Sequence, residues 1–362
     1  MPKVVVVGCG VLGLSTAWAI KEHQPQTTVL VIGKAGPHVR LTNLSMTNDH
    51  HYTSPWAGAH FRPFPLKTKQ EWTESQFTRA TQRRLRKLAI TNPELSVQFI
   101  DGIEYFEAPD QFYRELAKGY REEMEGFEVL PAAELPEGVT MGVKYRTWAI
   151  NLPLYLQWLY RKLFYEYQVD FIEAELTSLR NVNDYVSGNP IIVNCSGMGL
   201  MYDGGYDPEC YPIRGQTLLV RPPCNNRFAA TTVTHQLKEG LWTFCIPRPL
   251  DGGMIIGGTK QVGDTYDGVR DDDTHQLLTR GQMLFPELSK NGKFDVVNIN
   301  VGFRPARNGG LNTLMEPLQQ YPQRQNHVIN NYGAGGMGYE LSYGLGLQVV
   351  EHLRYLVRAN KL

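Results

Sequence analysis

The chain opens on Val4–Val7, four consecutive valines with no polar residue between them. A half-exposed strand would alternate apolar and polar positions, so an unbroken run predicts a central parallel strand covered on both faces. Leu14–Lys21 follows with apolar residues at helical spacing, and Thr28–Ile32 is a second apolar run. Further along, Trp72–Ile90 reads as a long helix, Val97–Glu107 as alternating strands around Asp101-Gly102, and Leu154–Glu166 as another helix. Val169–Ile172, Ile191–Ser196 and Asn326–Asn331 read as strands, the last two returning to the sheet that Val4–Val7 begins. Aromatic and β-branched strands dominate from Gln216 to Gly258, separated by proline breaks at Pro222-Pro223 and Pro247–Pro249. A helix is expected over Glu340–Arg358.

Between the first strand and the first helix stands Gly8-Cys9-Gly10-Val11-Leu12-Gly13. Strand, glycine turn, helix and strand within about thirty residues is the setting in which GxGxxG reads as a dinucleotide-binding unit. Gly8 permits the tight turn, Gly10 lets the backbone approach a pyrophosphate, and Gly13 lets the helix pack on the strand. The pyrophosphate would sit at the helix N-terminus, against free amides and the positive dipole end. The second strand ends Ile32-Gly33-Lys34, where an acidic residue would bond the ribose of NAD, so NAD is disfavoured and FAD remains open. The fold class expected is α/β (α+β). A discontinuous Rossmann-like domain (1–66, 150–212 and 300–362) is interleaved with a mostly antiparallel domain (67–149 and 213–299).

Composition narrows the partners. The 362 residues carry 36 basic and 36 acidic side chains, which supplies no general field for nucleic acid or an anionic membrane. Arg83–Lys87 is the one dense basic run and reads as a solvated helix face. No window approaches 18 uninterrupted apolar residues, so no membrane insertion is expected, and the first segment does not read as a signal peptide. Five cysteines without CxxC argue against zinc and against a disulfide framework. His50-His51 lacks a third ligand at metal spacing, and Asp271–Asp273 lacks the rest of a calcium loop.

Eight segments, in order, resemble the FAD-dependent D-amino-acid oxidases, a family that includes the D-aspartate oxidases. They are GCGVLGLST (Gly8–Thr16), YTSPWAGA (Tyr52–Ala59, in a yeast and fungal form), VNCSG (Val193–Gly197), YPIRGQT (Tyr211–Thr217), IPRP (Ile246–Pro249), GGTKQVGD (Gly257–Asp264), VGFRPAR (Val301–Arg307) and YGAGGMGY (Tyr332–Tyr339). The resemblance implies hydride transfer from the α-carbon of a D-amino acid to flavin N5. Dioxygen reoxidises the flavin to give hydrogen peroxide, and the imino acid hydrolyses to a 2-oxo acid and ammonia. It also implies an FAD cradle of Gly8, Gly10, Val11, Leu12, Gly13, Thr53, Ser54, Gly58, Leu176, Ser196, Gly197, Arg304, Gly333, Ala334, Gly335, Gly336, Gly338 and Tyr339. Glycines of the Gly333–Tyr339 loop would bring amides to the pyrimidine end of the flavin, where negative charge gathers on reduction.

Arg304 is the residue expected to act directly in catalysis and substrate binding, because a guanidinium fork holds a carboxylate bidentately. Arg307 is expected to be its structural neighbour, paired to an internal Asp. Gly336 would face the substrate. Phe244 stands where the family usually has a tyrosine; either Arg304 suffices, or Tyr266 or Tyr339 compensates. Lys260 stands where D-aspartate oxidases carry an arginine in a GGTRQ context. It is expected to pair with a side-chain carboxylate, with Arg62 as a second cation and His60 as a donor; a lysine reaching solvent is the other reading. Two buried cations would serve no neutral substrate, since their desolvation needs an anion. The leading expectation is therefore an oxidase of acidic D-amino acids, D-aspartate first, and the alternative a broad oxidase of neutral or aromatic D-amino acids. A flavin-free or NAD-binding regulatory domain is the reading from another class. A homo-oligomer is compatible with the sequence. Asn360-Lys361-Leu362 resembles the S-K-L address, implying an import receptor and a peroxisomal location; a chance basic-apolar terminus with a cytoplasmic location is the other reading.

Overall fold

The computed structural model describes residues 3–38, 51–316 and 326–359. His50 and the Asn360-Lys361-Leu362 tripeptide lie outside the described residues. Two compact units form, Met1–Pro55 with Leu156–Ile213 and Phe303–Leu362, and Trp56–Tyr155 with Arg214–Gly302. In chain order the elements begin β1 (Lys3–Val7), α1 (Val11–His23), β2 (Thr28–Gly33), α2 (Lys69–Thr91), β3 (Val97–Phe106), α3 (Gln111–Arg114), β4 (Glu128–Val129) and β5 (Met141–Ile150). They continue α4 (Leu152–Arg161), β6 (Asp170–Glu173), β7 (Ile191–Asn194), β8 (Cys210–Arg221), β9 (Thr231–Gln236), β10 (Trp242–Pro247), β11 (Met254–Gly257) and β12 (Gln261–Val262). α5 (Asp271–Leu284), β13 (Asp295–Arg307), β14 (Met315–Glu316), β15 (Val328–Asn330) and α6 (Gly338–Arg358) complete the chain.

In the first unit, the described strands form one sheet in the order β14-β15-β7-β1-β2-β6. β1 pairs in parallel with β2 and β7, β2 with β6, and β7 with β15, while β14 is an antiparallel edge. Val4, Val5 and Val6 have no exposed surface, which is why β1 shows no polar alternation. One set of its side chains joins Leu30, Ile32, Ile192 and Val328 in a core closed by Leu179, Val182 and Val186. α1 is buried from Val11 through Ile20. α6 lies so close to it that a Cβ on Gly346 would stand 2.9 Å from Ala19 Cβ and 3.0 Å from the Ser15 carbonyl oxygen. Trp18 of α1 packs on Tyr343 at 5.0 Å between ring centroids.

The sheet of the second unit runs β12-β8-β11-β10-β9-β3-β5-β4, with β13 also on β8. β8 with β11, β11 with β10, β10 with β9, β3 with β5 and β5 with β4 pair antiparallel, and β3 lies parallel to β9. Leu218, Val233, Cys245 and Ile256 form its core with Leu277 of α5. Two expectations are corrected here. Asp101-Gly102 is no turn: β3 runs straight through it, opposite Arg146 and Tyr145 of β5. A Cβ on Gly102 would stand 2.6 Å from the Tyr145 ring, and Asp101 accepts a hydrogen bond from Arg146 at 2.7 Å. The dipeptide therefore answers a cross-strand neighbour and not a reversal. Residues 56–66 cluster with the second unit because their backbone docks on β5, with Ile150 N–H donating to Ala59 O at 3.1 Å and Phe61 N–H to Trp148 O at 3.3 Å. Asp271–Asp273 occupy the first turn of α5, where the helix dipole favours negative charge. In the basic run, Arg83 pairs with Glu123 and Arg86 with Glu125. No helix of the described residues is long and apolar enough to cross a membrane.

The α1–α6 contact generates a stability prediction. Gly346→Leu is expected to cost about 1–3 kcal/mol by overpacking, despite leucine's better helix propensity. A thermal midpoint unchanged from wild type would show that the helices are not in such close contact.

Candidate functional site

In the first unit the glycine turn is built by backbone crowding. Gly8 has φ +110°, and a Cβ on it would stand 2.3 Å from the Cys195 carbonyl oxygen. A Cβ on Gly13 would stand 1.9 Å from the Gly8 carbonyl oxygen, so α1 packs directly on the turn. Gly10 differs, because within 4 Å a Cβ there would meet only Ser54 Oγ, at 3.0 Å. Packing thus accounts for Gly8 and Gly13, whereas the missing side chain at Gly10 leaves the turn clear. Gly10 caps α1 without a side-chain cap bond, and the first turn carries no acidic residue. A clear turn at an un-neutralised helix N-terminus fits the pyrophosphate of FAD. At the end of β2, Lys34 is paired with Glu175 at 2.9 Å.

Three distant segments meet at this helix end. Val11 N–H donates to Ser54 Oγ at 3.1 Å, and the Tyr339 hydroxyl donates to Ser54 O at 2.8 Å. Gly338 adjoins Val11, where a Cβ would come 3.7 Å from Val11 Cγ1. Leu12 is buried beside Val11, and Thr53 is half-buried on the approach to Ser54. Gly333 N–H donates to Gly197 O at 3.1 Å. The Ser196 hydroxyl is engaged locally, donating to Asn194 Oδ1 and accepting from Leu200 N–H, each at 2.7 Å. The Leu176 side chain packs against the sheet core.

Arg304 and Arg307 share β13 but have different surroundings. Arg307 Nε donates to Asp207 Oδ2 at 2.8 Å, and this bond holds its guanidinium above the ordinary range. The Tyr332 hydroxyl donates to the same Asp207 oxygen at 2.8 Å, so one carboxylate ties β13 to the start of the Gly333–Tyr339 loop. Ala306 also bridges Ala334. The Arg304 guanidinium shifts the other way, lowered by burial, and remains a cation at neutral pH. Its stem lies beside Gly336, where a Cβ would come 3.7 Å from Arg304 Cδ; Gly335 adjoins Ala306. Asp207 escaped the sequence reading, although an Asp-Pro in a proline-rich break is a turn signal that could have drawn attention to it.

The second unit holds the remaining candidates. The Phe244 ring covers Gly257, its cross-strand partner, where a Cβ would stand 2.2 Å from Phe244 Cζ. Gly58 belongs to this unit, and a Cβ on it would stand 2.9 Å from Ile246 Cδ1. Arg62 is a correction. Its Nη1 donates to Glu104 Oε2 at 3.1 Å and to the Tyr113 hydroxyl at 3.3 Å, and its guanidinium stacks on Trp242 at 4.3 Å. Burial alone would lower the Arg62 pKa, and Glu104 and Tyr113 more than offset that. Its charge is compensated inside the unit, so it is no uncommitted second cation. His60 is neutral: burial and the Arg62 charge push it down to about 3, and its Nδ1 is hydrogen-bonded with Thr232 Oγ1 at 2.9 Å. Glu104 escaped the sequence reading; in β3 it falls on the buried face with Ile100, Gly102 and Phe106. Tyr266 is exposed beneath Arg270, and the Tyr339 hydroxyl is engaged by Ser54 O. Lys260 is exposed and forms no hydrogen bond or ion pair among the described residues.

The profile of a family described as FAD dependent oxidoreductase (DAO) matches residues 3–352. A D-aspartate oxidase of Talaromyces thermophilus is 36% identical, over 97% of this chain and 94% of that one. A D-amino-acid oxidase of Schizosaccharomyces pombe is 32% identical, over 96% of this chain and 94% of that one. The fold is shared with an L-alpha-glycerophosphate oxidase from Mycoplasma pneumoniae solved with FAD bound, at TM-score 0.65 and 16% identity, covering 98% of this chain and 95% of that one. Because the match runs from β1 into α6, through every segment of both units, the protein belongs to the DAO family of FAD-dependent oxidoreductases, and FAD is its cofactor.

Proposed function

We propose that the protein oxidises acidic D-amino acids, with D-aspartate the leading substrate, to a 2-oxo acid, ammonia and hydrogen peroxide. The observation that carries the acidic assignment is Lys260, a cation with no internal partner among the described residues, in contrast to Arg62 with its Glu104. The likeness to a D-aspartate oxidase supports the same reading. Bound FAD supplies the hydride acceptor and passes the electrons to dioxygen.

The chain's own residues then have distinct tasks. Arg304 holds the α-carboxylate through its guanidinium fork and so orients the α-carbon. Lys260 receives the distal carboxylate, and Phe244 presents an apolar ring with no hydroxyl. No general base is required if the amine reacts neutral. The turn at Gly8, Gly10 and Gly13 and the start of α1 at Val11 and Leu12 receive the pyrophosphate, with the Val11 amide held by Ser54 Oγ, and the Gly333–Tyr339 loop supports the flavin ring. Peroxide production is the chemical reason for including a peroxisomal location in the proposal. The second reading, a broad oxidase of neutral D-amino acids, draws on the exposure of Lys260 and on the likeness to a D-amino-acid oxidase.

Two variants test this proposal. Arg304→Ala is expected to lose about 3–5 kcal/mol in kcat/KM by leaving the α-carboxylate unpaired, while flavin released on denaturation stays at one FAD per chain. Near-normal turnover at low substrate would place the carboxylate elsewhere. Lys260→Met is expected to lower kcat/KM for D-aspartate by roughly 10- to 150-fold and to leave D-alanine unchanged or improved. An equal loss on both substrates would favour the broad reading.

A further inference from the structure

Lys260 itself makes no bond, yet the segment that carries it is tied down on both sides. Beneath it lies Arg214 of β8, with no exposed surface. A guanidinium has five N–H donors, and each of them is used here. Nε donates to Tyr266 O at 2.8 Å; Nη1 donates to Gln261 Oε1 at 2.6 Å and Asp273 Oδ2 at 2.9 Å; Nη2 donates to Gln216 Oε1 at 2.8 Å and Gly268 O at 2.7 Å. Gln261 Nε2 completes the ring by donating to both Asp273 oxygens at 3.1 Å. On the other side of Lys260, Thr259 N–H donates to Gln216 O at 3.2 Å and Gln216 N–H to Thr259 Oγ1 at 2.8 Å. Arg270 closes the segment through its N–H to Gln216 Oε1 at 3.0 Å.

We propose that Arg214, Gln216, Gln261 and Asp273 form a positioning clamp that sets the discrimination between acidic and neutral substrates by fixing the backbone on both sides of Lys260. The inference rests on the proposed role of Lys260 and deepens it. A lysine side chain carries much rotamer freedom, so a loose backbone would add a second ordering cost to each encounter with a distal carboxylate. Holding Thr259 and Gln261 on a buried polar network confines that cost to the side chain. The internal anion, Asp273, is spent on Arg214 and Gln261, which keeps it from capturing the lysine. The clamp touches neither substrate nor cofactor; it acts through Lys260.

The test is a double-mutant cycle on the FAD-loaded enzyme, with D-aspartate and D-alanine as the two probes. Gln261→Leu removes one member and leaves the Arg214–Asp273 ion pair in place; Asp273→Asn is the second variant if the first folds poorly. Gln261→Leu is expected to raise KM for D-aspartate by about 3- to 10-fold, with kcat and the KM for D-alanine within about 2-fold of wild type. In a Lys260→Met background the same substitution should change the D-aspartate to D-alanine ratio by less than about 2-fold. Equal losses on both substrates, or a selective loss that persists without Lys260, would overturn the clamp while leaving the Lys260 assignment standing. If Lys260→Met alone leaves the ratio unchanged, the acidic-substrate reading falls, and the clamp with it.

Discussion

The arrangement at the head of α1 depends on one constraint, the direct approach of backbone to backbone. Gly13 sits against the Gly8 carbonyl, and Gly8 against the Cys195 carbonyl, at separations that no Cβ could occupy. That closeness brings the end of β1, the start of α1 and the segment after β7 to one point. The first turn of α1 carries no acidic residue to neutralise the positive end of its dipole, and Val11 N–H donates to Ser54 Oγ. Ser54 and Tyr339 then reach the same point from segments far away in sequence. Packing a buried parallel strand against a helix in this way leaves a clear turn at the helix N-terminus, which suits a diphosphate.

Charge is handled differently at each cation. Arg307 is neutralised by Asp207 and serves to hold the Gly333–Tyr339 loop against β13. Arg62 is neutralised by Glu104, a carboxylate with no exposed surface, and its ring contact with Trp242 completes its surroundings. Arg214 is neutralised by Asp273 and has every donor used. Buried ion pairs of this kind are costly to break, because removing one partner strands the other. Lys260 stands apart from these three: it is exposed and makes no bond among the described residues. Cations placed outside such pairs are the ones suited to receive substrate carboxylates.

Much of this was legible in the sequence. β1, the glycine turn and α1 were readable because an unbroken valine run and GxGxxG each have one simple physical cause. Trp72–Ile90 was recovered as α2, since a long amphipathic period has few competing explanations. The failures share a cause as well. Asp101-Gly102 resembles a turn locally, but the Tyr145 ring on the adjacent strand needs the space a glycine leaves. Arg62 and Lys260 look alike as cations in loops, and only the placement of Glu104, more than forty residues from Arg62 in sequence, separates them. Long-range partners decide what a charge does, and a single sequence does not list them.

The central claim is that this FAD enzyme prefers acidic D-amino acids. Peroxide formation measured side by side with D-aspartate, D-glutamate, D-alanine and D-phenylalanine, on one preparation, tests it most directly. The account predicts the highest kcat/KM for D-aspartate, with both neutral substrates well below it. A higher kcat/KM for D-alanine or D-phenylalanine than for D-aspartate would contradict it.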